Sequence, residues 1–333
     1  MKYYFTFILL YQKDIPLIIN LMFKILFISI VLFTTGSLYS QYKVSNFDKS
    51  PYWKQHKHEF FFNIGATGFL GDVGGLDKAG TNNSPVDLDF KSIRYTGGIG
   101  YRLRFSPRFA YTSTLAYAQF SGKDEYTQEI IRNSRNLSFR THALDLGQRL
   151  EFIIFAKENI SGSMANAANA REHADLLYLF GGVNGFLFIP QANLNGKWTN
   201  LRPLKTEGQG LPDGAKEYGL FNFGIPVGIG YRFGLAAGWR LGFELSYTKT
   251  FTDYLDDVST VYYDPIALQT NIGDEAVYAA NPAKANHDWF TAGQQRGNDE
   301  DKDAYLYFNI TVTYNIANYK YRPGRGFNSR SKF

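Results

Sequence analysis

Ser138 and His142 stand four residues apart within RNLSFRTHALDLGQRLEF (135–152), so on a regular strand both side chains share one face. Serine and histidine are two of the three groups that nucleophilic ester cleavage needs, and a lipid-cleaving barrel hydrolase would use such a pair. No orienting third group or oxyanion site accompanies them, and a hydrogen-bonded interior His142 is the simpler reading. Asp253, Asp256 and Asp257 form a second constellation, suited to Ca²⁺ or to the acidic chemistry of a barrel protease. Their spacing is not that of an EF-hand loop and no histidine adjoins them, so they read as a solvated strand end. Asp299, Glu300, Asp301 and Asp303 read as an exposed loop. Glycines approaching GxGxxG spacing lie inside strands, which argues against a phosphate cradle. The absence of cysteine removes disulfides and thiol or thiolate-metal chemistry. The chain therefore reads as a non-enzyme, with no cofactor, metal, nucleic-acid partner or small-molecule substrate expected.

The elements that would position these residues are strands. In YGLFNFGIPVGIGYRFGLAAGWRLGFELSYTKTF (218–251), Phe221, Phe223, Ile225, Val227, Ile229, Tyr231 and Phe233 alternate with Asn222, Gly224, Gly228, Gly230 and Arg232. Trp239, Leu241, Phe243, Leu245 and Tyr247 then alternate with Arg240, Gly242, Glu244, Ser246 and Thr248. Period-two alternation with charges on one face and aromatics at both ends of the other is the pattern of a strand that meets lipid. Aromatic residues make up 17% of the chain, with 24 Tyr and 32 Gly, as aromatic girdles and a crowded interior demand. Strands are expected near 58–71, 92–105, 108–120, 136–155, 176–189, 218–233, 239–252 and 304–317. That is about eight, an even number suited to an all-β, closed antiparallel transmembrane barrel. Closure is required because an open edge in hydrocarbon leaves unpaired backbone groups.

Short turns at Ser106–Arg108 and Gly234–Gly238 belong on the periplasmic side, which sends the connections at 72–91, 121–135, 190–217 and 253–303 outward and leaves both termini in the periplasm. The fourth strand changes phase between Phe139 and Leu144, and a bulge near Thr141–Ala143 would restore its lipid face. The fifth, LLYLFGGVNGFLFIP, is apolar on both parities, so its facing stays open. Inward charges are Arg94, Arg102, Arg104, Asp145, Arg149, Glu151, Arg232, Arg240 and Glu244. An eight-stranded barrel is only wide enough to be filled by side chains, so these read as a salt-bridged plug and not as an anion-selecting channel.

Residues 1–40 read as a signal peptide: Met22, Phe23 and Lys24 begin a basic region, Ile25–Phe33 form the apolar stretch, and cleavage falls near Ser40, with Met22 a candidate true start. An uncleaved anchor over Ile15–Phe33 is the alternative. Cleavage removes Lys2, Lys13, Lys24 and Asp14, which lowers the net charge from +5 to +3. The remainder divides into an N-terminal periplasmic segment (41–57), the barrel (58–318) and a basic tail (319–333).

Three stretches resemble a known family. YLFGGVNGFLFIPQANLNGKWTNLRPLKTEGQG (178–210) and TKTFTDYLDDVSTVYYD (248–264) are similar to signature segments of the PorG-like outer-membrane proteins of the type IX secretion system, and 135–152 is a weaker third. Thr206–Gly210 follow a Trp-containing loop in the family's order. Thr199 departs from the aromatic expected after Trp198, and the connection from Lys157 to Asp175 is long for a periplasmic turn. The resemblance implies a non-enzymatic barrel in the outer membrane, in contact with its lipids, that helps assemble the export machine and ties its periplasmic ring-forming subunits to that membrane. The residues add a candidate contact surface. Lys320, Arg322, Arg325, Arg330 and Lys332 lie in a tail without one acid, and Lys43, Lys49, Lys54 and Lys57 precede the barrel against Asp48 alone. Such a rim would steer an acidic partner. A structural or adhesive barrel unrelated to secretion, and a lipid-modifying hydrolase built on Ser138 and His142, are the competing readings.

Overall fold

The computed structural model describes residues 52–75, 88–127, 129–159, 173–236, 238–284 and 288–316. The expected signal peptide (1–40), most of the segment 41–57 and the tail 319–333 lie outside these residues. Nine strands are present among the described residues: β1 (His58–Leu70), β2 (Arg94–Arg104), β3 (Phe109–Lys123), β4 (Ser138–Asn159), β5 (His173–Leu194), β6 (Lys197–Asn200), β7 (Phe221–Ala236), β8 (Trp239–Thr250) and β9 (Ala304–Ile316). Eight of them form the wall. Each pairs antiparallel with its neighbour, β5 passes to β7, and β9 returns to β1, so the sheet closes. The ninth, β6, folds back on the protruding end of β5 through Asn195 and Gly196, both at positive φ, the geometry of a two-residue hairpin turn.

Alternation places the wall as expected. Along β8, Trp239, Phe243 and Leu245 face out while Arg240, Glu244, Ser246 and Thr248 are buried. The outer face carries a continuous apolar band that includes Phe60, Ile64, Ile99, Leu115, Leu146, Val183, Val227, Leu245 and Ile310. Aromatics mark both borders, with Trp239 against Tyr314 (4.9 Å between ring centroids) at the short-turn end and Tyr95 against Tyr117 (6.2 Å) at the other. From Trp239 to Tyr247 the strand rises about 26 Å, or about 20 Å along the barrel axis at the usual tilt of about 40°, most of the height of a lipid-facing band. This is a transmembrane barrel of eight strands.

The open facing of β5 is resolved by its neighbours' glycines. Tyr178 and Phe180 point inward because Gly230 and Gly228 of β7 leave them room; a Cβ at either glycine would overlap the facing ring. Large side chains on one strand fill the space vacated by the next, as close packing requires.

Beyond the band, at the long-loop end, the polarity of the interior inverts. Leu137, Phe139, Phe120, Phe186, Phe188, Leu255 and Tyr305 form one apolar cluster inside the mouth. The bulge expected near Thr141–Ala143 is absent: β4 runs in unbroken register with β3 from Ser138 to Phe152, and the irregularity lies instead between Ile153 and Phe155. Leu137 and Phe139 do not face lipid. They face inward above the membrane, where the barrel is filled by an apolar cap. Three short helices build that cap, α2 (Ile130–Arg135), α3 (Pro265–Asn271) and α4 (Asp274–Ala280), while α1 (Tyr52–Gln55) precedes the wall at the opposite end. A second apolar cluster of Ala192, Leu194, Leu201, Leu204, Leu268 and Ala276 ties the β5–β6 hairpin to α3 and α4.

Replacing Gly230 by valine (Gly230→Val) drives a side chain into Tyr178 and is expected to destabilise the barrel by about 1–3 kcal/mol. Tyr178→Ala in the same chain should restore much of that loss. Heat-modifiable mobility of the detergent-solubilised protein checks both; an unshifted Gly230→Val midpoint overturns the packing account.

Candidate functional site

The inward alternation of eight strands delivers their charges to one level of the barrel. Arg102 of β2 donates from Nε to Glu151 of β4 (2.8 Å), from Nη1 to Glu59 of β1 (3.0 Å) and from Nη2 to Glu244 of β8 (3.4 Å). Arg232 of β7 donates to Glu59 (2.6 Å) and Glu151 (3.2 Å), Arg240 of β8 to Glu59 (2.8 Å), and Arg149 of β4 to Glu244 (2.8 Å). Thr112 of β3 donates to Glu151 (2.7 Å), the Tyr178 hydroxyl of β5 to Glu244, and the Asn315 amide of β9, correctly oriented, bridges Glu59 and Arg240. Every wall strand thus contributes a group. Guanidinium planes also lie over rings, Arg232 over Tyr178 (4.5 Å) and Arg149 over Phe180 (4.3 Å). Four arginines meet three glutamates in a space from which solvent is excluded, so the lumen at this level is a plug.

Six of the nine interior charges read from the sequence join this network: Arg102, Arg149, Glu151, Arg232, Arg240 and Glu244. Three do not. Arg94 lies at the long-loop end and donates to the carbonyls of Lys91 and Ile93; Arg104 is buried at the short-turn end and donates to the Pro107 carbonyl (2.7 Å). Asp145 sits one layer above, accepting from Asn184 (2.7 Å) and Tyr305 (2.6 Å) beside a cavity of about 50 Å³ that Asn63, Thr114 and Asn309 also line. Glu59 was missed. In HEFFFNIG aromatics occupy both parities, which hides the inward one; Phe61 faces in and stacks under Arg102 (5.0 Å).

The catalytic pair dissolves. His142 is not interior: it shares the outward parity of Leu144, and its Nδ1 meets the Tyr117 hydroxyl at 2.5 Å in the aromatic border. Four residues along a strand separate Ser138 from it by about 13 Å.

The acidic cluster is the larger correction. Asp253, Asp256, Asp257 and Asp303 are not solvated; all are buried in the cap, while Asp299, Glu300 and Asp301 remain exposed. They are buried because the cap's loops need acceptors for their backbone. Asp256 accepts from the amides of Val73 (3.1 Å) and Val258 (3.0 Å), Asp303 from Leu255 (2.9 Å), and Asp72 from Asn298 (2.7 Å). Glu207 accepts from the amides of Ser259 (2.9 Å) and Thr260 (3.1 Å), the Thr260 hydroxyl (2.8 Å) and Arg296 (2.9 Å). Asp257 accepts from Thr206 (2.6 Å) and Tyr218 (2.5 Å). Arg135 is held by Asp124 (2.7 Å) and donates to the carbonyls of Asp72 and Arg296. The end of the 178–210 segment, at Thr206 and Glu207, therefore meets the 248–264 segment, the other stretch that resembles the family. Thr199 donates to Glu275 of α4 (3.0 Å), a polar tether where an aromatic was expected.

Asp72, Asp253, Asp256 and Asp303 lie near one another, and among the described residues no cation forms an ion pair with any of them. Burial raises all four, Asp72 to about 6 and Asp253 to about 7; repulsion among them adds to the rise of Asp253, Asp256 and Asp303, and Glu207 adds to that of Asp72, while the Asn298 amide, the Ser259 side chain, Arg135, Arg132 and Lys302 ease it only in part. Asp253 is 3% exposed, with the Ser259 side chain beside its carboxylate. Among the described residues no three His, Asp or Glu side chains are placed to hold a metal ion. Burial favours the protonated form of each of the four carboxyls.

No protein-family model matches the chain, and no curated protein matches it. Solved structures that resemble it are Ail, the attachment invasion locus protein of Yersinia pestis (9% identity, 78% of this chain and 99% of that one, TM-score 0.32), Neisserial surface protein A (8%, 77% and 97%, 0.32) and the outer membrane protein OprG from Pseudomonas aeruginosa (9%, 79% and 98%, 0.31). Likeness this distant says nothing of what the chain does.

The quartet makes the cap sensitive to pH. Asp72, Asp253 and, by burial, Asp257 at about 6 all lie above the ordinary carboxylate value of about 3.9. The folded cap then binds more protons than the unfolded one, so its stability is greatest below about pH 4 and falls as pH rises through 6–7. Hydrogen exchange of the Val73, Leu255 and Asn298 amides, corrected for intrinsic rates, should quicken between pH 5 and 8 while the wall stays protected. Asp253→Asn should flatten that profile; protection that grows with pH would sink the account.

Proposed function

We propose that this chain is a non-enzymatic outer-membrane barrel of the type IX protein secretion machinery, which anchors or assembles the machine's periplasmic ring complex. The cap then faces outward, and the short-turn end and both termini face the periplasm. The membrane assignment is supported by the closed wall, its apolar band and its aromatic borders. A plugged lumen supports an anchoring role over a conducting one.

One observation carries the secretion reading: the two segments that bear the resemblance, remote in sequence, build a single buried unit through Thr206–Asp257 and Glu207–Ser259. Residues that specify one shared structural core are a better marker of kinship than an exposed motif. At the short-turn end, the Lys54 and Lys57 ammonium groups flank the Trp53 ring (5.8 and 5.5 Å), and the Lys57 carbonyl accepts from the Arg104 amide (2.8 Å). This supports a basic, ordered platform for an acidic ring subunit, to which Lys320, Arg322, Arg325, Arg330 and Lys332 would add charge from outside the described residues.

A deletion strain should fail to export the machine's substrates, and ring subunits should leave the outer-membrane fraction; normal export would overturn the reading. Removing 319–333 should weaken recovery of ring subunits in low-salt pull-downs, and undiminished recovery rules the tail out. A cysteine in place of the exposed Thr270 (Thr270→Cys), in a chain that has none, should react with a membrane-impermeant maleimide on intact cells.

A further inference from the structure

The outer part of the cap, residues 261–292, differs from the rest of the molecule beyond the apolar band. Asp264 caps α3 by accepting from the Ile266 amide (2.9 Å), with Pro265 opening the helix, and a tight turn through Gly273 leads into α4. The two helices and the turn at Asp288–Phe290 enclose a cleft of about 390 Å³. Its walls are mostly apolar: Tyr262, Tyr263, Leu268, Val277 and Phe290, with Asn281 and Thr291 the polar side chains at its side.

Large apolar side chains stand exposed around it. Ile266 is 73% exposed, Tyr278 48% and Trp289 45%, and Val261 and Ile272 join them. These are not lipid-facing residues of the wall. They belong to the segment that joins β8 to β9 over the barrel mouth, where water would otherwise meet them. An apolar patch of this kind beside a formed cleft marks an interaction surface.

Charge narrows the occupant. Asp264, Asp274 and Asp288 are exposed beside the cleft, while the exposed cation among the described residues of this segment, Lys284, is turned to Asn133 (3.1 Å). Negative charge thus predominates among the exposed side chains of 261–292, on a chain whose overall balance is positive. An anionic lipid headgroup or an acidic polypeptide would be repelled. An apolar anchor flanked by positive charge would be drawn in.

We propose that this cleft binds a polypeptide segment in which an aromatic or large aliphatic side chain is flanked by lysine or arginine, the anchor entering between Tyr262, Leu268 and Phe290 and the bases meeting Asp264, Asp274 and Asp288. Buried aromatic anchors of this sort carry most of the energy of small interfaces, with the acids setting selectivity and encounter rate. Only the statement that the cleft faces the cell exterior rests on the proposed orientation; the binding chemistry does not.

The test uses the full-length barrel in zwitterionic micelles, titrated by nuclear magnetic resonance against N-acetyl lysyl-phenylalanyl-lysine amide. The glutaminyl-phenylalanyl-glutamine analogue is the control. The basic peptide should bind at least about tenfold more tightly than the control, and the difference should shrink as salt rises to about 0.5 M. Ala292→Trp, at an exposed position on the cleft's lip, should weaken binding at least about tenfold without altering heat-modifiable mobility. Asp288→Asn should weaken the basic peptide alone. Equal binding of the two peptides, or undiminished binding to Ala292→Trp, overturns the proposal. Failure of Thr270→Cys to react on intact cells would overturn the orientation and leave the cleft's chemistry standing.

Discussion

The arrangement of Arg102 between Glu59, Glu151 and Glu244 is the constraint on which the barrel depends. A guanidinium with side chains on three sides must find acceptors in all of them, because an unpaired charge in a dry lumen costs several kcal/mol. Glu59 is in turn shared with Arg232 and Arg240, and Glu151 with Arg232. Each carboxylate binds strands that are distant in sequence, so the network exists only when all eight strands are in place. Closure of the wall and pairing of the ions are one event.

Two environments follow along the barrel axis. Within the band, the outside is hydrocarbon and the inside is ionic, so strands alternate apolar-out and polar-in. Above the band, the outside is water and the inside is the aromatic cluster of Phe120, Phe139, Phe186 and Tyr305, so the alternation reverses. The cap's loops return over this cluster, and their amides, cut off from water, are satisfied by buried carboxylates. The acids are there because the loops are buried, and the loops are buried because the mouth is apolar.

That reversal also sets what was legible. Alternation against lipid marked most of the wall strands, and a continuous apolar run marked β5; all eight were placed, the ends of β5 differing most, at 173–194 against the expected 176–189. It failed where its premise failed: the phase change at Phe139 was read as a bulge when it marks the membrane border. Asp253, Asp256 and Asp257 were read as solvated because a carboxylate's burial depends on amides brought from Val73 and Leu255 by the fold. Glu59 was hidden by the run of three phenylalanines, and β5 by aromatics whose space is made by glycines one strand away. The Asn195-Gly196 dipeptide, a direct hairpin signal, did stand in the sequence and would have revealed β6.

An apolar filling could plug a barrel of this width at equal or lower energetic cost, since buried ion networks seldom outperform well-packed hydrocarbon. What an apolar filling cannot supply is register. A wall apolar on both faces would tolerate a one-residue slip of any strand, because such a slip only exchanges inner and outer side chains. With Arg102, Arg232, Arg240 and Glu244 on the inner parity, a slip of β2, β7 or β8 carries a charge into lipid at about 2–4 kcal/mol for each arginine near the midplane and strips its partners of theirs. β5 has the inner aromatics Tyr178 and Phe180 in place of ions, and there the register is held instead by the glycine spaces opposite them. The ions and the ring-on-glycine contacts are thus two solutions to the same problem, and the strand whose facing could not be read from its sequence is the one that uses the second.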